Sequence, residues 1–210
     1  MKLVLASNNA KKLKELRALF GGLAIELQPQ GELGISEAEE PHITFVENAL
    51  AKARHAAAAC GGAAMADDSG LCVHALGGEP GVQSAVYAPE PGGIGSDREL
   101  RRQAQDRANN DKLLIALQGV TDRRAAFVST LVAIRHAEDP EPLIAFGRWP
   151  GEILHAPDGE GGFGYDPLMF IPDLGSSVAR LEAAVKNEHS HRARAAAQMR
   201  QLLKAHWRLG

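Results

Sequence analysis

A chain of 210 residues, 45% hydrophobic and 23% charged with a formal net charge of -3, can bury one substantial core. It lacks the low hydrophobicity of a disordered chain and the basic excess of a nucleic-acid binder. No apolar run approaches a membrane span, and the opening MKLVLASNNAKK carries too short an apolar segment for a secretory signal. The expectation is a single domain over residues 1–210 in the cytoplasm, with neither membrane nor nucleic acid as partner. Cys60 and Cys72 are the only cysteines and make no CxxC, so reduced structural thiols are expected rather than a zinc site or a disulfide framework.

Residues 2–6, KLVLA, predict a short buried strand, and Leu13, Leu16, Leu19 and Phe20 follow at helical spacing until Gly21-Gly22. SNNAKK therefore falls at a strand-to-helix junction. Thr44 and Glu47 have capping-box spacing ahead of an alanine-rich helix that should end at Cys60 and Gly61. AAMA fits a short strand, with DDSG as a turn beyond it. Residues 77–95 are rich in glycine and proline and predict a long loop. Ser96 and Glu99 repeat the capping spacing before a polar helix to about Leu117, with Leu100, Leu113, Leu114 and Leu117 on its buried side. AAFVSTLVAIR (125–135) and LIAFGRW (143–149) predict an antiparallel pair across the turn HAEDPEP. EGGFGYDPLMFIP (160–172) is a glycine-rich loop entering a strand, and the chain closes in a helix. Helices alternating with strands early and a hairpin late predict an α/β fold with a mixed sheet.

Several stretches carry possible chemistry. Ser7 to Lys12 offers a hydroxyl, two amides, backbone N–H groups at a helix start and two lysines, a plausible phosphate cradle without P-loop spacing. Asn8 or Asn9 serves equally well as an ordinary helix cap. Glu39-Glu40 and Asp67-Asp68 supply the hard oxygen ligands that suit Mg²⁺ beside a phosphate, and an aspartate next to such an ion can deprotonate water. FGYDP reads either as a packed turn or as a close approach for a base, with Phe163 and Tyr165 as stacking surface. KNEHSHR, residues 186–192, gathers Lys186, His191 and Arg192; on its own it would be a solvated helix end.

In chain order, LASNNAKKLKEL (5–16), EAEE (37–40), TFVENALAKARHAA (44–57), ADDSGL (66–71), GGEPGVQSA (77–85), GGFGYDP (161–167) and KNEHSHR (186–192) make the chain resemble the inosine/xanthosine triphosphate pyrophosphatase family from end to end. That resemblance implies a long mixed β-sheet flanked by helices, two lobes with a central cleft, Mg²⁺ and a homodimer. The implied activity is hydrolysis of ITP, dITP or XTP to the monophosphate and pyrophosphate, which cleanses the nucleotide pool. Asp68 would be the general base, and Glu39 with Asp68 would hold the metal. Ser7, Asn8, Asn9, Ala10, Lys11 and Lys12 would contact the triphosphate, Ser69 would touch the substrate, and Phe163, Gly164, Tyr165, Asp166, Lys186, His191 and Arg192 would form the nucleotide pocket. The Arg192 guanidinium would donate to the 6-oxo group of the base and face donor against donor with adenine.

Two positions depart from the family pattern. Lys11 replaces a glycine before the motif's last lysine, and Val86 replaces an arginine in Ser84-Ala85-Val86-Tyr87-Ala88. Alternative readings are a pyrophosphatase for another modified base and a nucleotide-binding regulator without chemistry. Both acidic pairs argue against the regulator, which has little need of a metal-assisted base.

Overall fold

The protein is described from a computed structural model in which residues 1–209 are placed. Seven strands form one sheet in the order β2-β1-β3-β4-β5-β6-β7. In chain order they are β1 (Lys2–Leu5), β2 (Glu26–Pro29), β3 (Ala64–Val73), β4 (Arg124–Ile134), β5 (Leu143–Ile153), β6 (Met169–Ile171) and β7 (Ser176–Ser177). The helices are α1 (Ala10–Leu19), α2 (Phe45–Cys60), α3 (Arg98–Ala116), α4 (Ala183–His189) and α5 (His191–Trp207). β1 pairs in parallel with β2 and with β3, whereas β6 runs antiparallel to both β5 and β7. The mixed α/β sheet expected from the sequence is thus present, with an edge strand, β2, that the sequence did not announce.

The chain divides into two compact units. One comprises residues 1–69, 129–148 and 187–210, the other residues 70–128 and 149–186. Strands β3, β4 and β5 each carry residues of both. Two apolar layers fill the first unit, and strand alternation assigns residues to them. Leu3, Leu5, Met65, Leu131 and Ala133 join Leu16 of α1 and Ala195 and Met199 of α5. The intervening residues Val4, Ala6, Ala64, Ala66, Val132 and Ile134 join Ala49, Ala53 and Ala56 of α2. The second unit has its own core around Leu71, Val73, Leu113, Leu117, Trp149, Tyr165 and Leu168.

Local signals explain most helix ends. Thr44 caps α2 as expected by accepting from Glu47 N at 3.3 Å, but the Glu47 carboxylate takes the Thr44 hydroxyl at 2.5 Å where the reciprocal box would have it accept from the Thr44 backbone N–H. Gly61 ends α2 at φ 65°, a left-handed position that glycine adopts without steric cost. The start of α3 differs from expectation: Asp97, not Ser96, accepts from Glu99 N and Leu100 N. A carboxylate there meets the positive end of the helix dipole as well as the free amides. Leu100 is 55% exposed because the buried side of α3 begins a turn later. DDSG is not a turn either; β3 continues through it to Val73, and that continuation decides where its two carboxylates go. Among the described residues no helix is long and apolar enough to cross a membrane.

Candidate active site

Side chains of consecutive strand residues leave opposite faces of a sheet. Asp67 therefore shares the layer of Met65, packed against α1 and α5, whereas Asp68 shares that of Ala66, packed against α2. Both are buried, at 2% and 5% exposure, yet their surroundings differ in charge. Asp67 accepts from the Ser129 hydroxyl at 2.6 Å, from Arg192 Nε at 3.3 Å and from the Ser69 hydroxyl at 3.1 Å. Its Oδ2 lies 3.1 Å from Lys12 Nζ. Burial alone would raise its pKa, but Lys12 and Arg192 overcome that and hold the carboxyl far below the usual range. Asp67 is held ionised at neutral pH, with both of its oxygens engaged.

Asp68 accepts from Lys52 Nζ at 2.7 Å through Oδ1, and the same ammonium reaches Glu40 Oε2 at 3.0 Å. The other oxygen, Oδ2, is buried and makes no protein hydrogen bond. Burial pushes the Asp68 pKa up to about 6 despite Lys52. Lys52 itself is raised, since Asp68 and Glu40 outweigh the burial that would lower it. For Glu40 burial is opposed and outweighed by Lys52, and its pKa is lowered. Two neighbouring carboxyl groups pushed in opposite directions by their environments mark one as a fixed charge and the other as an acid–base group.

The helices deliver these partners from recognisable signals. Asn9 caps α1, accepting from Lys11 N at 3.1 Å and Lys12 N at 3.2 Å, so the first turn points Lys12 toward β3. Asn9 N donates to Ser7 Oγ at 3.2 Å. Ser190 caps α5 by accepting from Ala193 N at 3.1 Å, which buries His191 and Arg192 instead of leaving KNEHSHR in solvent. On α2, Asn48 and Lys52 lie one turn apart. Asn48 grips the backbone of His42 through both its N–H and its C=O, which brings the preceding acidic segment back toward Lys52. Glu40 is the member of that segment whose carboxylate meets Lys52; it and Glu39 are both exposed. Arg192 gives its Nη1 to Glu15 at 2.5 Å and its Nη2 to Ser69 at 2.8 Å. Its donors thus serve the carboxylates around β3.

The second unit organises the GGFGYD loop. Lys186 Nζ lies 2.7 Å from Asp166 Oδ2 and 4.6 Å from the centroid of the Phe163 ring, and Asp166 Oδ2 also accepts from Phe163 N at 2.9 Å. Gly162, at φ 75°, has no room for a Cβ because the Asp166 carboxylate occupies that space. Tyr165 is a core residue at 4% exposure whose hydroxyl donates to Ser84 O at 2.9 Å. Phe163 is the more accessible ring of the two.

Lys52, Glu15 and Ser129 were missed as site residues. A buried polar pair, Asn48 and Lys52, at i and i+4 on an alanine face was the available signal for Lys52. For Ser129, inside AAFVSTLVAI, no signal in the sequence separates it from strand filler.

A mixed sheet bearing one locked and one titrating aspartate, flanked by lysines, is the framework of an enzyme acting on a polyanion. Residues 3–202 match the model of the Ham1 family. The chain is 68% identical over 209 residues to a Methylibium petroleiphilum protein called dITP/XTP pyrophosphatase, covering 99% of both chains. It is 64% identical to one of the same name from Leptothrix cholodnii, covering 100% of each. Among solved structures it is similar to a HAM1 protein from Coxiella burnetii, with TM-score 0.86, 39% identity and coverage of 98% of this chain and 99% of the other. The Staphylococcus aureus Ham1 protein matches with TM-score 0.81, 36% identity and the same coverage. The chain belongs to the Ham1 family.

Proposed function

We propose that this protein hydrolyses non-standard purine nucleoside triphosphates to the monophosphate and pyrophosphate: dITP and XTP, which the names of its relatives carry, and ITP, which shares the base of dITP. The observation that carries the mechanism is the division of labour between Asp67 and Asp68. Asp68, raised to about 6 and with one oxygen unspent, takes a proton from water as the water oxygen bonds to the α-phosphorus. The bond from the α-phosphorus to the oxygen bridging to the β-phosphorus breaks, and pyrophosphate leaves with that oxygen. Lys52, paired with Asp68, and Lys12, paired with Asp67 on the other face of the strand, are half-buried cations that offset the charge that builds up on the phosphates.

Mg²⁺ fits the acidic side of β3. One ammonium there faces two carboxylates, which leaves a net negative charge for a divalent cation to offset. Asp68 with Glu40 would hold the ion, Glu39 being the adjacent alternative, although the described residues form no group of three His, Cys, Asp or Glu able to do so alone. Substrate phosphate and water would complete the set. When bound, the ion polarises the phosphate and lowers the pKa of attacking water. Comparing Mg²⁺ affinity in Glu39→Gln and Glu40→Gln separates the two ligands, with the larger loss expected for Glu40→Gln. A homodimer in the cytoplasm completes the proposal, and sedimentation tests the dimer.

The deciding experiment supplies ITP, dITP, XTP, GTP and ATP with Mg²⁺ and identifies both products. Monophosphate plus pyrophosphate, fastest with the first three, is expected, and EDTA should stop turnover. Release of inorganic phosphate and a nucleoside diphosphate would overturn the mechanism.

A further inference from the structure

Helix α3 contributes four polar side chains, Gln105, Asp106, Asn109 and Asn110, that form two i, i+4 pairs on neighbouring stripes of one helix. Each pair grips a different loop of the second unit. Asn109 donates to Ser84 O at 3.2 Å and Ala85 O at 3.1 Å, and accepts from Ala88 N at 2.8 Å. Gln105 donates to Ala88 O at 2.8 Å. Asp106 accepts from Gly164 N at 2.9 Å, and Asn110 donates to Gly164 O at 3.0 Å. Both backbone polar groups of Gly164 are thus held by one helix, at a residue with φ 60°. The two loops are joined to each other where Tyr165 donates to Ser84 O. Asn109 and Asn110 are buried, at 2% and 8% exposure.

We infer that Asp106 and Asn110 are positioning residues that preorganise the 163–166 segment for the nucleotide base, and this rests on the nucleotide reading above. The glycine-rich sequence of this loop leaves its free chain many conformations. A loop that had to be ordered at binding would weaken affinity by the cost of ordering it. Clamping Gly164 from α3 settles the backbone before substrate arrives, so that Phe163 and Asp166, already tied to Lys186, stand at fixed height. The clamp acts through the loop and makes no step of its own in the reaction. Its loss should weaken binding of ground state and transition state equally, which raises KM and spares kcat.

The test uses the full-length protein with ITP and Mg²⁺ and compares Asn110→Leu, close in shape but with no donor, with Asp106→Asn, which keeps an acceptor for Gly164 N. Losing one hydrogen bond of about 1 kcal/mol corresponds to about a fivefold rise in KM. Asn110→Leu should show that rise with kcat within about twofold, and faster amide exchange over residues 161–166 in the nucleotide-free protein that ITP suppresses. Asp106→Asn should match wild type in both. An unchanged KM and unchanged exchange in a folded Asn110→Leu protein would overturn the inference, as would loss of kcat with KM unchanged. Should Asn110→Leu fail to fold, Asp106→Leu gives the same readouts, and its exchange pattern decides. Wild-type protein that releases no pyrophosphate from ITP would instead refute the pyrophosphatase reading, while the exchange measurement would still judge the clamp.

Discussion

Asp67 and Asp68 share a peptide bond and almost nothing else, since strand geometry sends one to the Lys12 and Arg192 side and the other to Lys52. Replacing Asp68 with Asn removes the proton acceptor while preserving shape, and turnover of ITP should fall about 10²–10⁴-fold with the fold intact by circular dichroism. In the metal-free protein the Asp68 carboxyl should titrate near 6, visible by NMR. Because burial raises that pKa, the carboxylate needed as base is scarce below it, and activity should rise with pH on the acid side. An Asp68 that titrates with the ordinary carboxyls near 4 would remove its special status. Arg192 yields a different expectation from the one its sequence suggested. With Nη1 on Glu15, Nε on Asp67 and Nη2 on Ser69, its substitution by Ala should depress kcat/KM for ITP and ATP alike, leaving their ratio within about twofold. A ratio that narrows strongly would return Arg192 to the base.

At the scale of elements, the meeting of β5 with the first turn of α5 depends on one glycine. A Cβ on Gly147 would overlap His191 O and lie 2.7 Å from Ala195 N, both backbone atoms that cannot rotate away. Gly147→Ala should cost about 1–3 kcal/mol or more, as overpacking does, and lower Tm measurably; unchanged thermal unfolding would show that the strand and helix can separate freely. Much of this architecture could be read from the chain. The Thr44 cap, the Gly61 stop and the Leu13, Leu16, Leu19 spacing are local signals, and local signals survive folding. Gly147 gave no such sign, because the close approach it permits joins segments 44 residues apart in sequence and exists only after folding. The same limit hid the continuation of β3 through DDSG. Turn-forming Ser69 and Gly70 suggested an end, but Gly70 is needed where Gly81 O and Ser84 Oγ crowd against the strand. The candidate site was legible as a set of motifs. What could not be read was the assignment of each charge to a face, which strand register alone decides.

The molecule as a whole must tolerate two buried charge clusters in one unit, and Asp67 is the centre of the larger. Through Lys12, Ser129 and Arg192 this carboxylate links β3 to α1, β4 and α5, so its ionisation bears on global stability. Removing one partner from such a cluster leaves buried charge uncompensated, and Asp67→Asn should cost about 3–5 kcal/mol at neutral pH. The pH dependence follows from the sign of the shift. The folded-state pKa of Asp67 lies well below its unfolded value near 3.9, so below about pH 4 the unfolded chain takes up a proton that the folded protein refuses. Stability from this residue is complete above that pH and drains away as pH falls toward the folded pKa. Asp67→Asn cannot titrate and lacks the term at every pH. Urea unfolding of both proteins from pH 7 to pH 3 should therefore show a constant gap down to about pH 4.5 and a shrinking one below, with wild type falling toward the variant. A gap that persists undiminished at pH 3 would mean that other carboxylates carry the acid sensitivity and that Asp67 is held by packing instead of by charge.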